Sequence, residues 1–225
     1  MTDIDPTMAD CPDSGPDSPG SGLSAAALLR RFQLCADSGG SFLKFSGVSP
    51  SVFEEFYTLL AGRGRVTYFG AANGLLFVKM PTLQHEVVAT KTMDAAQRQM
   101  PAKDIMRVGS ARYESDRNIS AKEADDGIIA MPRLLAGATV PSFVLEVANS
   151  QSLADVREAI QWWFQNSSPN DPRGGVQCGL IAKVGDAKLG EIIFELWRRD
   201  SRRPKKAYLR LTSQQQPSQK PNPDL

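Results

Sequence analysis

The amino-acid sequence predicts an α/β fold in which a mixed β-sheet is flanked by helices. Short runs rich in Val, Ile and Phe, which are typical of strands, alternate with segments whose apolar residues recur every three or four positions. One helical segment comes just before the central strand candidates, and another follows them directly. This order of elements indicates an α/β sandwich built on a mixed sheet.

The first half of the chain shows three helices and one hairpin. "SAAALLRRFQL" predicts a short helix capped by Ser24, and "SPSVFEEFYTLLAG" predicts a second helix that stops before Gly62. "RVTYFG" and "GLLFVKM" predict two strands of a hairpin around "AAN". "TLQHEVVATKTMDAAQRQM" predicts a third helix with Thr82 as its N-cap.

The second half shows more strands and one further helix. "DIMRVG" and "GIIAM" are short strand candidates, and "FVLEVA" is the central strand. "SLADVREAIQWWFQNS" predicts an amphipathic helix, because its large apolar residues share one helical face. "VQCGLIAKV", "KLGEIIFELWRR" and "KKAYLRLT" then complete the sheet.

Length and composition favour one globular domain with tails. Residues 1–22 and 214–225 are poor in apolar side chains and are expected to be disordered, which leaves residues 23–213 as the single domain. The apolar fraction of 41% and the charged fraction of 23% are typical of soluble domains. A net charge of +1 gives no global attraction to nucleic acid or membrane, so electrostatic recognition must be local.

Cysteine usage and the first residues favour an intracellular protein, either cytoplasmic or nuclear. Three widely spaced cysteines suit neither a disulfide framework nor a zinc site. The acidic, Pro-rich start has neither the basic-then-apolar pattern of a secretory signal nor the Arg-rich character of a transit peptide. No apolar run approaches the ~20 residues that span a bilayer, so no membrane partner is expected. The sequence leaves the oligomeric state open.

A single carboxylate stands in the middle of the central strand. Alternation places Glu146 on one face with Val144 and Ala148, and puts the remaining apolar residues on the other. Burying an ionised carboxylate without a partner is very costly. Glu146 must therefore have a partner that is distant in sequence.

Two other acidic features could reach Glu146. A hairpin between "GIIAM" and the central strand would bring Asp125 or Asp126 beside it, although either residue could instead cap a turn. Glu86 lies on the apolar stripe of the third helix, one turn before Ala89, and so points towards the sheet. The alternative is that Glu86 forms a surface ion pair with Lys91 or Arg98.

Three inward carboxylates repel one another unless a cation neutralises them. Oxygen ligands of this kind suit Mg²⁺ or Mn²⁺. Such an ion polarises a phosphodiester and lowers the pKa of an attacking water. The acidic residues therefore indicate metal-assisted phosphodiester hydrolysis.

The pattern of residues 80–185 resembles the PD-(D/E)xK nuclease-like superfamily, and within it a group of fungal proteins similar to bacterial Uma2-type proteins. In that group a His-Glu helix precedes a Lys-Glu-Pro-Asp turn, a strand of the form Glu-Val-(Ala/Gly)-x-Ser and a Trp-rich helix. The matching positions here are His85, Glu86, Lys122, Glu123, Asp125, Glu146, Ser150, Trp162 and Trp163, with Ala124 where proline is usual.

The resemblance implies a restriction-endonuclease-like core and a catalytic, metal-binding set of Glu86, Asp125 and Glu146. It adds the carbonyl of Val147 as a further ligand and selects Asp125 over Asp126. The implied cofactor is Mg²⁺ or Mn²⁺, and the implied partner is DNA. The possible accessory residues are His85, Lys122 and Ser150.

One departure from the nuclease signature bears on catalysis. The signature places a lysine two residues after the strand carboxylate, where it stabilises the charge that develops on phosphorus. Here that position is Ala148, so an amine would have to come from elsewhere, for example from Lys91 or Lys122.

The strongest charge cluster, "RRDSRRPKK", lies between the last two strand candidates. It could follow a phosphate backbone, act as a nuclear localisation signal or form a solvated turn. Trp162 adjoins Trp163 of the apolar stripe and is expected to be covered by the N-terminal helices, with base stacking as the alternative. The possible nucleic-acid contacts are Arg198, Arg199, Arg202, Arg203, Lys205 and Lys206.

Two functions remain open from sequence. The first is a metal-dependent endonuclease-like hydrolase acting on DNA phosphodiesters. The second is a catalytically inactive module of the same fold that binds nucleic acid or protein. Ala148 favours the second function, and the three acidic residues favour the first.

Overall fold

The computed structural model describes residues 23–69, 74–115, 120–149, 151–167, 175–185, 191–199 and 205–210, the last range by its backbone alone. The helices are α1 (Ala25–Asp37), α2 (Pro50–Leu60), α3 (Leu83–Arg98), α4 (Met131–Leu135) and α5 (Leu153–Asn166). The strands are β1 (Phe42–Phe45), β2 (Arg65–Phe69), β3 (Leu75–Lys79), β4 (Ile105–Arg107), β5 (Arg112–Glu114), β6 (Ser120–Glu123), β7 (Asp126–Ala130), β8 (Phe143–Ala148), β9 (Cys178–Val184), β10 (Glu191–Arg198) and β11 (Lys205–Arg210).

The first sheet has five strands in the order β1-β3-β2-β6-β5, and all its pairs are antiparallel. Helices α1 and α2 cover one of its faces. Their apolar stripes pack against the inward residues of β2 and β3 in one continuous core. That core includes Leu28, Phe32, Phe53, Phe56, Leu60, Val66, Leu76 and Val78, each no more than 3% exposed.

The second sheet has six strands in the order β11-β10-β9-β8-β7-β4. Among its described pairs, β8 and β9 run parallel and the others antiparallel. Alternation along β8 sends Leu145 and Val147 to the core beneath α3, and Val144 and Ala148 to the core beneath α5. Because β8 is covered on both faces, its six residues are nearly all apolar.

Helix starts follow the expected capping chemistry. The hydroxyls of Ser24 and Thr82 accept hydrogen bonds from the first turns of α1 and α3, so both N-caps read from the sequence are confirmed. Ser152 caps α5 in a reciprocal capping box with Asp155. This box satisfies two backbone donors at the start of α5.

The expectation of one mixed sheet flanked by helices is confirmed for the α/β class and wrong for the number of sheets. The mixed character belongs to the second sheet, and the predicted β2–β3 hairpin belongs to a separate antiparallel sheet. Strands β1, β5 and β6 were not foreseen. They are short, and β6 reads "SAKE", with two charged residues that alternation rules do not assign to a strand.

Among the described residues, no helix is both long enough and apolar enough to cross a membrane.

Helix α5 approaches β9 closely at Gly179. A methyl group at this position would lie 2.7 Å from Cδ1 of Ile160, a side chain with no exposed surface. We expect Gly179→Ala to lower the free energy of unfolding by about 1–3 kcal/mol, because extra volume in a packed core forces its neighbours to move. Urea unfolding measures this change.

The matched control is the double variant Gly179→Ala with Ile160→Val, which removes the clashing carbon. Its destabilisation should be smaller than the sum of the two single effects. Equal unfolding midpoints for wild type and Gly179→Ala would contradict the close packing.

Candidate functional site between the two sheets

Strand pairing brings Asp125 next to the centre of β8. Strand β7 runs antiparallel to β8 with Asp126 opposite Leu145, and the backbone N–H of Asp125 donates to the carbonyl of Leu145 at 3.1 Å. Asp125 and Glu146 are 6% and 2% exposed. The hairpin expected from sequence therefore forms and places both acids in the interior.

The Asp125 carboxylate is held by two hydrogen-bond donors and lies close to a histidine ring. Its Oδ2 accepts hydrogen bonds from the Val147 backbone N–H at 2.6 Å and from Lys79 Nζ at 2.7 Å. His85 Nε2 lies 3.1 Å from the same oxygen. Burial alone would raise the pKa of Asp125, but Lys79 and His85 hold it well below its usual range.

Lys79 is the centre of the site. Besides Asp125, its ammonium donates to the carbonyl of Val147 at 2.9 Å and lies 4.0 Å from Oε2 of Glu146. Three oxygens, from two carboxylates and one carbonyl, thus surround a single cation. Lys79 is the last residue of β3, so this cation reaches the second sheet from the first.

Glu146 has one hydrogen-bond donor and one ion-pair partner on the same oxygen. Trp163 Nε1 donates to its Oε1 at 2.8 Å, and Lys122 Nζ lies 3.1 Å from the same atom. Lys122 also donates to Oγ1 of Thr67 at 3.1 Å, which fixes the ammonium against the first sheet. The partners that the sequence required for Glu146 are a tryptophan on α5 and a lysine on β6.

The centre is balanced in charge by its own side chains. Two carboxylates, Asp125 and Glu146, face two ammonium groups, Lys79 and Lys122. The side chains of the four residues are between 1% and 13% exposed. Opposite charges at short range in a buried site attract strongly, and Lys79 also donates a hydrogen bond to Asp125.

Glu86 lies apart from this pair of acids. Its side chain is 47% exposed, and its Oε1 lies 3.6 Å from Nη2 of Arg65 and 3.6 Å from Nδ1 of His85. The structure therefore brings together two of the three acids expected from sequence, whereas the third lies at the exposed side of His85, whose ring nitrogens make no hydrogen bond to another described residue. Within the described part of the chain, no three His, Cys, Asp or Glu side chains cluster closely enough to hold a metal ion.

The oxygen atoms around Lys79 are nevertheless of the types that bind a hard divalent ion. A carboxylate oxygen of Asp125, a carboxylate oxygen of Glu146 and the Val147 carbonyl are the ligand types that Mg²⁺ and Mn²⁺ prefer. Their point of convergence is the Lys79 ammonium. A divalent ion that used this ligand set would have to take the place of that group.

The remaining expected residues are spread over several environments. Asp126 is paired with Arg107, whose Nε donates to its Oδ2 at 2.8 Å, which leaves Asp125 as the acid in the site. Lys91 is exposed on α3. Ala148 has no exposed surface and packs in the core beneath α5. Ser150 lies outside the described residues.

Sequence reasoning missed Lys79, and it named Glu123 as a matching position without giving this buried acid a role. The Glu123 carboxylate accepts hydrogen bonds from the Tyr57 hydroxyl at 2.9 Å and from the Val66 backbone N–H at 3.0 Å. Burial raises the pKa of Glu123, and burial together with that carboxylate raises the pKa of Tyr57 to about 12. Glu123 thereby joins β6 to β2 and α2. The sequence signal for Glu123 was the Lys-Glu pair in "SAKE".

The basic segment near residue 200 is only partly described. Arg198 is exposed at the end of β10, whereas Arg199 donates from its Nε to the Val176 carbonyl at 2.7 Å and so supports the backbone before β9. Strands β10 and β11 pair antiparallel, as expected, so the basic segment connects two neighbouring strands. The side chains of the other four basic residues lie outside the description: Arg202, Arg203, Lys205, Lys206.

Trp162 is 4% exposed, so it is covered as expected, but its ring contacts among the described residues are with β5 and Trp163 and not with the N-terminal helices. Its ring contacts Tyr113 of β5 edge-on, with centroids 6.1 Å apart, and it meets Trp163 at 5.2 Å. The cover therefore includes β5 of the first sheet. Such burial removes Trp162 as a stacking surface for a base.

The sequence matches no protein-family model, and it has no significant match among curated proteins.

Proposed function

We propose that this chain is a nuclease-like protein of restriction-endonuclease-like fold that binds a DNA phosphodiester in the cleft between its two sheets and hydrolyses it with Mg²⁺ or Mn²⁺. One observation supports this proposal above the others. Carboxylate oxygens of Asp125 and Glu146 and the carbonyl of Val147 surround one cation, Lys79 Nζ. A cluster of oxygen ligands on adjoining strands is the arrangement that such hydrolysis needs.

In this proposal Asp125, Glu146 and the Val147 carbonyl hold the divalent ion, and Glu86 approaches through His85 as an outer carboxylate. A bound ion of this kind supplies Lewis acidity and a more acidic water. The protein's own groups do the rest. The Val147 N–H orients Asp125, and Trp163 orients Glu146.

The lysine that the signature places at residue 148 has two substitutes in this cleft. Lys79 and Lys122 both reach the acids from the first sheet. An ammonium close to a phosphodiester stabilises the negative charge that develops on the phosphoryl oxygens. When Lys79 turns from the carboxylates to the phosphate, one amine performs the role that Ala148 cannot.

The second candidate function is an inactive module of the same fold that binds nucleic acid or protein. The position of Lys79 favours it, because the ammonium already neutralises the acids at the point where an ion would bind. With Lys122 beside Glu146, two positive charges balance two negative ones. In that case the lysines act as a permanent, tethered replacement for the metal.

Calorimetric titration of Mg²⁺ and Mn²⁺ into the wild type, Glu146→Gln and Lys79→Met separates the two functions, alongside cleavage assays on plasmid and single-stranded DNA. For the nuclease we expect saturable metal binding, and a loss of at least about 100-fold in cleavage for Glu146→Gln. The control is Glu55→Gln, which alters an exposed acid on α2, on the other face of the first sheet.

Each pattern of results selects one function. Metal binding and cleavage by the wild type, both lost in Glu146→Gln and kept in Glu55→Gln, support the hydrolase. Metal binding that occurs only in Lys79→Met, with no cleavage by the wild type, supports the tethered-cation module. Absence of binding in all variants refutes the metal-dependent function.

A further inference from the structure

The first sheet presents aromatic and basic residues together on the face opposite to α1 and α2. Residues directly opposite one another in paired strands share a face. The register therefore sets Phe42, Lys79 and Arg65 in one row across β1, β3 and β2. The neighbouring row runs Lys44, Phe77, Thr67, Lys122 and Tyr113. We call these two rows the cleft face.

The cleft face is covered at one end and open at the other. At β6, Lys122 is buried against Glu146 and Trp163. At β1 and β3, Phe42 and Phe77 are only partly buried, and Lys44 is exposed. The apolar core of this sheet lies on its other face, so these two phenylalanines are not required to fill it. They line a cleft that leads to the two acids.

The two phenylalanines form an aromatic wall in which one ring stacks on the other. Their ring centroids are 5.7 Å apart and their planes differ by 24°, so the rings stack. Lys44 Nζ lies 5.5 Å from the centroid of Phe77, and Lys79 follows Phe77 by two residues on the same face. Aromatic rings interleaved with cations are the composition that binds nucleobases and their phosphates.

The cleft also has a polar wall. It is formed by the start of α5 and the residue before its N-cap, and it includes Gln151, Asp155, Glu158 and Ala159. Asp155 is engaged in the capping box with Ser152, whereas Glu158 is exposed one turn later. A ligand in the cleft would therefore have an amide and a carboxylate beside it as well as the two rings.

We propose that the cleft holds one unpaired nucleobase of single-stranded DNA, stacked on Phe42 and Phe77, with its polar edge towards Gln151 and Glu158. This inference rests on the proposed function, since it sets the adjoining phosphodiester beside Lys79 and the two acids. A base inside a duplex has both faces covered by its neighbours, so only an unpaired base can offer a face to the wall. The substrate is accordingly a single strand or an unpaired segment.

The polar wall also selects among bases. A carboxylate only accepts hydrogen bonds, so Glu158 favours a base that carries an exocyclic amine. Cytosine offers such a donor, whereas thymine presents a carbonyl oxygen at the same place. The site should therefore bind oligo-dC more tightly than oligo-dT.

Fluorescence anisotropy with short labelled oligo-dC, oligo-dT and a duplex, all in EDTA to prevent cleavage, tests the proposal. Phe77→Ala should bind oligo-dC about 5- to 150-fold more weakly than the wild type, the range expected for loss of one stacked base. Leu83→Ala, at an 82% exposed position on α3, is the control and should bind normally. Glu158→Gln should reduce the preference for oligo-dC over oligo-dT.

Circular dichroism checks that each variant is folded before its affinity is compared with that of the wild type. Equal affinity of wild type and folded Phe77→Ala for oligo-dC would overturn the proposal, as would binding of the duplex as tight as that of the single strand. Metal-dependent cleavage of duplex plasmid that is unchanged in Phe77→Ala would refute the stacking site and leave the nuclease intact. Binding of oligo-dC that depends on Phe77, by a protein that binds no metal, would support the stacking site and refute the nuclease.

Discussion

Replacing Asp125 with alanine is expected to lower the free energy of unfolding by about 3–5 kcal/mol, measured by urea denaturation in EDTA. The physical reason is that the variant leaves Lys79 buried without its closest counter-charge, and a buried charge that has lost its partner is more costly than the intact pair is stabilising. The Val147 N–H would also lose the oxygen to which it donates at 2.6 Å. EDTA ensures that no added cation replaces the missing interaction.

The double variant Asp125→Ala with Lys79→Met is the matched control. It removes both charges and substitutes an apolar chain of similar length, so the uncompensated ammonium disappears. We expect it to be less destabilised than the sum of the two single variants, with a coupling energy of about 0.5–3 kcal/mol. Additive effects would show that the contact between Lys79 and Asp125 does not stabilise the protein.

Replacing Trp163 with alanine is expected to cost about 3–5 kcal/mol of stability, the range for removing a large aromatic side chain from a core. Trp163 has no exposed surface, and its ring contacts Trp162, Tyr113 and the Lys122 ammonium. The variant also removes the N–H that donates to Oε1 of Glu146. The variant therefore loses core packing and a buried hydrogen bond at the same position.

Trp163→Phe separates these two contributions. Phenylalanine keeps most of the ring contacts but has no N–H, so its cost should be about 1–3 kcal/mol, the penalty for leaving a buried acceptor with one donor fewer. Guanidinium or urea unfolding of both variants gives the comparison. A Trp163→Phe variant as stable as the wild type would mean that Lys122 alone suffices for Glu146.

The second sheet could be predicted more completely than the first. Strand β8 and helix α5 have strong, regular apolar patterns, because β8 is buried on both faces and α5 on one. The hairpin that unites Asp125 with Glu146 followed from the same patterns. Strands β1 and β6 escaped prediction because each has only four residues, and β6 carries charges whose partners are far away in sequence.

The candidate site could be predicted for its two acids and for Lys122, but not for Lys79. Glu146 was identifiable because a charge in an apolar strand needs a partner. Lys79 was not, because a lysine at the end of a strand usually reaches solvent, and only the packing of one sheet against the other turns it inward. The partial exposure of Glu86 also depends on Arg65, whose strand belongs to the first sheet.

The contacts of Lys79 and Lys122 have a consequence for the cooperativity of folding. The first sheet has one apolar core and the second sheet has one on each face, and these two ammonium groups are polar cross-links from the first sheet to acids of the second. A ligand that draws both lysines away from the acids would weaken the junction while leaving the apolar cores intact. Occupancy of the site would then decide whether the two sheets unfold in one transition or in two.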